Sequence, residues 1–320
     1  MGAEGGQSLP DLNEQLRALQ RDARRYSFYR LVYLLERTFP KAPPVGQLGP
    51  VADERVRLRP DVSLIFASCD VADAGILTQA LTGARAAYLL IPPGMTSQDY
   101  RADQDRTSDV ISTAVKNSGL QYAVSLSSFG AQVPSGTGPI AGLHAFEQKL
   151  NAIDRLNVLH LRAGYFMENH LNAIGMIQMM GVFAGPLKPD LKIPMIATRD
   201  IGAYAAERLL QLDFNGKRTQ ELLGDRDLTM SEVASVISKI LNRADLRYVQ
   251  FPYDQVEQVL VQMGTPPKTA ALMTEMFRAI NDGVVAAKET RSPENSTPTS
   301  IENFVKDVFG PAFQGQAAGA

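Results

Sequence analysis

The stretch "SLIFASCDVADAGILTQALTGARAAYLLIPP", residues 63–93, decides the predicted fold. It reads as a short β-strand, an aspartate, a helix over residues 74–83 that ends at a glycine, and a second strand that runs into two prolines. The second strand, "AAYLLIPP", is apolar throughout, which is typical of a strand buried on both faces of a parallel sheet. The stretch therefore predicts a β-strand, helix, β-strand unit.

Strands and helices continue to alternate downstream. The apolar runs "LQYAVSLSS" and "NVLHLRAG" alternate with helical patterns at about residues 100–117 and 143–154, with short Gly- or Asn-containing turns between them. This order predicts right-handed βαβ units on a parallel sheet. Further on, "KIPMIATRDIGAYAAERLL" is strand-like, Thr229 to Glu232 form a capping box that opens a helix, and "RSPENSTPTS" is a surface loop before a final helix.

Composition excludes several classes of function. The 320 residues carry 32 basic and 34 acidic side chains, a net charge of −2, and no Lys/Arg block, so no nucleic-acid partner is expected. A lone cysteine, Cys69, cannot build a cysteine-cluster zinc site, and His144, His160 and His170 lack the spacing of metal ligands. No apolar run approaches the roughly 20 residues of a membrane span, and the N-terminus does not resemble a signal peptide. A cytoplasmic protein without a metal is expected.

Three glycine clusters could supply backbone N–H groups for a phosphate. Residues 2–6 have no strand before them, Gly46 and Gly49 lie between prolines, and "GTGPIAG" at 136–142 lies well beyond its strand and contains Pro139. A phosphate loop needs a glycine turn between a strand and a helix. The sequence therefore predicts no such loop.

Ser127 and Ser128, in "SLSSFGA", stand at the C-terminal end of a predicted parallel strand. Ligands of open α/β sheets bind at that edge, where a hydroxyl can orient a carbonyl or a ribose. A serine at a strand end can equally cap its own backbone. His144, in "LHAFEQKL", is a candidate acid or base, with a partly exposed histidine at a helix start as the alternative.

The segment "RAGYFMEN", residues 162–169, follows the next predicted strand and reaches the same edge. Arg162, Glu168 and Asn169 could meet a substrate, or they could tie the loop to the core. Their spacing does not separate the two interpretations.

Taken together, residues 70–309 resemble the NmrA-like, atypical short-chain dehydrogenase/reductase family. The resemblance is carried by "DVADAGILTQALTGARAAYLLIPP", "SLSSFGA", "GPIAGLHAFEQKLNAI", "NVLHLRAGYFMEN" and "RSPENSTPTSIENF" in family order. It implies an NAD(P)-dependent oxidoreductase that transfers hydride to a small carbonyl or quinone. Short-chain reductases normally add a Tyr-x-x-x-Lys pair, but here His144 and Lys149 stand at the matching place and the tyrosine is missing.

The resemblance also implies roles for individual residues. It assigns Asp70 and Val71 to the adenine and Leu90, Ile91, Pro92 and Pro93 to the cofactor wall. Ser127 and Ser128 would face the nicotinamide. The loop formed by Gly164, Tyr165, Phe166, Glu168 and Asn169 would border the substrate. The cofactor would be NADP(H) or NAD(H).

Residues 11–69 resemble a different family, the N-terminal segment of type VI secretion baseplate proteins of the TssG (ImpH/VasB) kind. The resemblance lies in an aromatic helix, "APPVG", and the strands around "DERVRL" and "VSLIFAS". It implies baseplate proteins as partners. The predicted domains are a disordered segment 1–10, this fragment 11–69, the truncated reductase part 70–309 and a flexible tail 310–320.

The two resemblances predict an α/β fold with an incomplete Rossmann-like parallel sheet that lacks its first βαβ unit. An N-terminal helical/β appendage precedes it, and a smaller C-terminal α/β region follows on the substrate side. "VSLIFAS" could pair with the open edge of the sheet, which would place Asp70 and Asp73 where phosphates should lie. We therefore expect weak or absent dinucleotide affinity. The alternatives are a sensor or interaction protein without turnover, a baseplate-related protein, and a gene fusion without function.

Overall fold

The computed structural model describes residues 56–59, 62–64 and 73–317. Cys69 and the predicted adenine contacts Asp70 and Val71 lie outside the described residues, as does the chain before residue 56. The predictions made for these parts stay predictions.

The described chain is an α/β structure. It starts with a hairpin of β1 (Val56–Arg59) and β2 (Val62–Leu64). The first half continues with α1 (Ala74–Leu81), β3 (Ala86–Leu89), α2 (Tyr100–Ser118), β4 (Tyr122–Ser128), α3 (Ile140–Asn151) and β5 (Asn157–Ala163). The second half contains β6 (Tyr165–Phe166), a 3₁₀ helix (Met167–Ala173), α4 (Ile174–Met180), β7 (Phe183–Gly185), β8 (Ile193–Ile196), α5 (Thr198–Gln211), β9 (Lys217–Leu222), β10 (Asp227–Leu228), α6 (Met230–Leu241), β11 (Tyr248–Gln250), α7 (Tyr253–Gln262), α8 (Pro267–Asn281), α9 (Ile301–Phe304), a π-helical turn (Val305–Phe309) and α10 (Gly310–Ala317).

The main sheet is parallel, as predicted. Its strand order is β3-β4-β5-β9, and the helices between β3, β4 and β5 make the predicted βαβ crossovers. Among the described residues, β3 has a strand neighbour on one side only. The described part of "VSLIFAS", β2, pairs antiparallel with β1 rather than with β3.

Both faces of the sheet are covered at β4 and β5, which is why these two strands are largely apolar and buried, whereas the edge strand β9 is mostly polar. Leu89, Val115 and Phe146 belong to the core on the side of α2 and α3. On the other side, Leu161 packs with Ile201 of α5. No helix within residues 73–317 is long and apolar enough to cross a membrane.

Local sequence signals set the helix ends. Gly119 ends α2 in the left-handed conformation, with φ of 73°, which a residue without a Cβ adopts at little cost. Thr229 and Glu232 form the predicted capping box at the start of α6. Both helix ends could be predicted from the sequence because they depend on a few neighbouring residues.

The smaller C-terminal α/β region is present, with two differences from the sequence interpretation. The strand-like pattern at 192–210 is a strand only in β8, because Ile201 and Ala205, one helical turn apart, bury the same face of α5. The predicted surface loop is partly internal, since Asn295 and Thr299 are 2% and 3% exposed.

Part of the predicted flexible tail is described in the structure. Its residues 310–317 form helix α10, and Phe313 packs against the core and stacks on Phe309. Small residues and glycines suggested a loose tail, and the flexibility of residues 310–320 stays a prediction.

Candidate functional site

The carboxyl ends of β3, β4 and β5 form one edge of the sheet. Leu89 is in register with Ser125, and Ser127 is in register with Arg162. The predicted cofactor wall therefore follows β3 at the level where β4 ends, with Leu90, Ile91 and Pro92 half-buried and Pro93 exposed. The structure brings the wall, the serine pair and the start of the loop at Gly164 together at this edge.

Ser127 points into a buried ion pair rather than into solvent. It is 4% exposed, and its hydroxyl donates to Glu147 Oε1 over 2.6 Å. Arg162 donates to both Glu147 oxygens, Nε to Oε1 over 2.9 Å and Nη2 to Oε2 over 2.6 Å. The hydroxyl hydrogen of Ser127 is thus used in the bond to Glu147. Half-buried Ser128 donates to the Phe129 carbonyl over 3.0 Å.

One face of α3 carries three polar side chains, and each makes its contact at a different distance from the carboxyl edge of the sheet. His144, Glu147 and Asn151 have the i, i+3, i+7 spacing that puts side chains on the same helix face. His144 Nδ1 lies 2.8 Å from the Ala131 carbonyl oxygen. Because a carbonyl oxygen can only accept, Nδ1 must carry the hydrogen, and Nε2 remains available for a ligand.

His160 lies further from the carboxyl edge than Ser127 and is part of the core. Its Nδ1 lies 2.6 Å from Ser125 Oγ and its Nε2 lies 2.9 Å from Asn151 Oδ1. Burial lowers the pKa of His160 to about 4, since the charged form has lost its water. His160 is therefore a neutral, hydrogen-bonded core residue.

Lys149 is not near the candidate acid. Its ammonium group donates to the Asp105 carbonyl over 3.1 Å and to Ser108 Oγ over 2.7 Å, and pairs with Asp109 over 2.6 Å. These contacts tie α3 to α2. The structure therefore has no equivalent of a Tyr-Lys pair on this helix.

The loop after β5 mixes packing and exposed residues. Gly164 packs against the Pro194 carbonyl, which would lie 2.7 Å from a Cβ. Glu168 accepts from the backbone N–H of Thr198 and from its hydroxyl, the latter over 2.7 Å, so it ties the loop to α5. Asn169 is exposed and bonds to Tyr165.

Neither aromatic residue of this loop replaces the missing acid. Burial raises the pKa of Tyr165 to about 12, the opposite of what a proton donor at neutral pH requires. Phe166 packs against the core on the α5 side of the sheet. His144 is left as the candidate acid at this edge.

Sequence reasoning missed three residues that shape the edge. Glu147 lies one helical turn after His144, Gln132 donates to the Ala286 carbonyl over 3.2 Å, and Glu221 accepts from the backbone of residues 288–289. Glu147 shares a helix face with the predicted candidate His144, and this spacing was a signal for it. Nothing local to Gln132 or Glu221 could have shown contacts across 154 and 67 residues.

Within residues 73–317, no group of histidine and acidic side chains could hold a metal ion.

A comparison of the chain with known protein families finds a match. Residues 53–305 match the NmrA-like family.

The chain belongs to the NmrA-like family. The match starts 17 residues before the predicted boundary at residue 70, so it includes part of the segment that resembles the baseplate proteins. No comparison supports that second resemblance.

Two relatives of this NmrA-like chain are named reductases. It is 25% identical over 253 residues to the NAD(P)H azoreductase of Xenophilus azovorans, covering 73% of this chain and 85% of the relative. It is 28% identical over 244 residues to quinone oxidoreductase 2 of Escherichia coli, covering 75% and 81%.

Solved structures share the NmrA-like fold. A nucleoside-diphosphate-sugar epimerase from Staphylococcus aureus matches with a TM-score of 0.62, 16% identity, and 74% and 82% of the two chains covered. The Citrobacter triphenylmethane reductase complexed with NADP(H) matches with a TM-score of 0.61, 16% identity, and 74% and 81% covered. At these identities the likeness shows the fold alone.

The family implies a dinucleotide cofactor, and the described residues fit only part of one. For the nicotinamide, the predicted residues Ile91, Pro92 and Ser128 would offer an apolar wall and a hydroxyl at the carboxyl edge of the sheet. A pyrophosphate would need free N–H groups at a helix N-terminus, whose partial positive charge favours anions. Each of the first three helices already has a carboxylate there.

Two of these carboxylates cap their helices, whereas the one before α3 comes from Glu275 of α8. Asp73 accepts from Gly75 N and Ile76 N over 2.8 and 3.0 Å at α1, and Asp99 accepts from Ala102 N over 3.2 Å at α2. Before α3, Gly138 N donates to Glu275 over 3.1 Å. A phosphate at any of these three ends would face a negative charge, so none of them fits the phosphate side of a dinucleotide.

Proposed function

We propose that this chain keeps the substrate side of an NmrA-like oxidoreductase, acts on a small carbonyl or quinone, and binds NADP(H) or NAD(H) weakly. The observation that carries the proposal is the fixed ring of His144, whose Nδ1–H is held by the Ala131 carbonyl beside the ends of β4 and β5. Support comes from the named azoreductase and quinone oxidoreductase relatives.

The proposed roles differ among the predicted site residues. His144 Nε2, when protonated, donates to the oxygen of the bound carbonyl or quinone. Ser128 and the wall Leu90–Pro93 face the reacting ring. Ser127 holds the Glu147 carboxylate, and Glu168 holds the loop against α5. A bound dihydronicotinamide would supply the hydride.

Weak dinucleotide binding is the first expected result. Titration of purified protein with NADPH, followed by nicotinamide fluorescence, should give a Kd above roughly 100 µM. N-benzyl-dihydronicotinamide, which has no phosphates, should bind within about threefold of NADPH, because the phosphates find no N–H donors. A Kd for NADPH in the low micromolar range would refute the proposed impairment.

His144→Gln should lower kcat for quinone reduction about 100-fold, the usual contribution of a general acid. The matched control is Lys149→Gln, on the same helix but bonded to α2, which should stay within about twofold of the wild type. Equal losses in both variants would show that α3 matters for stability rather than for proton transfer. The assay needs millimolar NADPH to overcome the weak binding.

The capped helix ends also favour a second candidate, an NmrA-like sensor or interaction protein without turnover. It shares the fold and the wall but performs no reduction. Steady reduction of any member of a quinone panel, with one NADPH consumed per quinone, would exclude it.

A further inference from the structure

The segment Val285–Glu289, between α8 and α9, is held in place by a buried carboxylate. Glu221, at the end of β9, is 2% exposed. Its oxygens accept from Lys288 N over 3.0 and 2.9 Å and from Glu289 N over 2.8 Å. Two backbone N–H groups thus converge on one side chain, with contacts that are stronger than neutral hydrogen bonds when the carboxylate is charged.

The segment lies against the loop that holds the candidate acid. The Ala286 carbonyl accepts from Gln132 Nε2, and a Cβ on Gly130 would lie 2.7 Å from Val285 Cγ1. Ala131, between those two contacts, carries the carbonyl that binds His144 Nδ1. The segment therefore borders the edge on the side of β5 and β9.

We propose that Glu221 is a positioning residue that fixes Val285–Glu289 as a wall of the site beside His144. The proposal rests on the proposed function for its role in the reaction. Glu221 itself is too buried to meet a ligand, and it acts through the segment whose N–H groups it holds. Because Glu221 is in register with Arg162 on β5, the wall is tied to the same sheet that places Ser127 and Ser128.

Asp200 supplies a matched control. It is also buried, at 7% exposed, and it also accepts from a backbone N–H of the C-terminal part of the chain, Thr299 N over 3.0 Å. The hydrogen bonds and ion pair of Asp200 go to Thr299 and Arg199, not to the segment or to its neighbours Gly130 and Gln132. Asp200→Asn therefore perturbs a comparable carboxylate anchor and leaves the wall in place.

The test compares Glu221→Gln, Glu221→Ala and Asp200→Asn with the wild type. Glutamine keeps the size of the side chain but has only one accepting oxygen, so it should release part of the anchor without loss of the fold. Amide hydrogen exchange at Lys288 and Glu289 should accelerate about tenfold to 100-fold in the Glu221 variants. Asp200→Asn should leave these two amides unchanged.

A second readout follows the site itself without any activity. In protein with ¹³C-labelled histidine rings, the signal of half-buried His144 should shift in both Glu221 variants. His160 and His170, at 1% and 3% exposed, should stay as internal references. In the quinone assay, Glu221→Gln should raise KM about tenfold with kcat within about threefold, because a binding wall is lost and the acid remains.

The outcomes separate this proposal from the proposed function. Unchanged exchange at Lys288 and Glu289, an unmoved His144 signal, or equal effects of Asp200→Asn would each overturn the positioning role. A wild type that reduces neither a quinone nor a small carbonyl would overturn the proposed function, while exchange and the His144 signal would still decide the role of Glu221.

Discussion

Acidification from pH 7 to pH 4 is expected to destabilise the folded chain by about 6 kcal/mol through two buried histidines. Burial lowers the pKa of both His160 and His170 to about 4, whereas an unfolded histidine titrates near 6.5. Between these values the unfolded chain binds the protons and the folded chain does not. Stability is therefore intact above pH 6.5, falls as the pH drops, and levels off for these groups below pH 4.

Urea unfolding at a series of pH values checks this result. Each histidine should contribute about 1.4 kcal/mol per pH unit to the slope of the free energy of unfolding. His170 is the cleaner one to replace, because its Nε2 is buried without a hydrogen-bond partner. His170→Leu should remove half of the slope; a variant with the wild-type slope between pH 4.5 and 6 would contradict the assignment.

Arg162→Met is expected to destabilise the fold by about 3–5 kcal/mol, because it leaves the Glu147 carboxylate buried without its cation. The side chains of Arg162 and Glu147 are 15% and 2% exposed. Replacing both, in Glu147→Leu with Arg162→Met, should cost less than Arg162→Met alone, since no uncompensated charge remains.

A double-mutant cycle by chemical unfolding measures this coupling. The exposed pair Arg226–Glu302, with side chains 42% and 50% exposed, is the control, and Arg226→Met should cost no more than about 1 kcal/mol. If the double variant at the buried pair were as unstable as the sum of its single variants, the two charges would not depend on each other.

Much of the parallel sheet was predictable, because its signals are local. The apolar run "LQYAVSLSS" marks the buried strand β4, and Gly119 marks a helix end, whatever the rest of the chain does. The run "AAYLLIPP" also forms a strand, β3, but only Leu89 of that strand is buried. The strand-like interpretation of residues 192–210 was wrong beyond β8, since β-branched and small residues near Ile196 fit either state until α5 packs.

The site was predictable only in outline. Ser127 and Ser128 followed from strand ends, and His144 from its place where short-chain reductases have the Tyr-x-x-x-Lys pair; the structure places these residues at one edge of the sheet. What the sequence could not show was direction: the Ser127 hydroxyl turns inward to Glu147, and Lys149 turns outward to α2. Such choices depend on partners from distant segments, as does the anchor from Glu221 to Lys288.

The carboxylates at the starts of α1, α2 and α3 have a consequence for protein engineering. Grafting a glycine-rich strand and turn onto this chain would restore only the shape of a phosphate loop, because Asp73, Asp99 and Glu275 would still occupy the neighbouring N–H donors. Tight nucleotide binding would also require replacement of these three acidic residues. Two of them, Asp73 and Asp99, are the N-caps that stabilise α1 and α2. Restoring nucleotide affinity in this way would therefore lower the stability of these two helices.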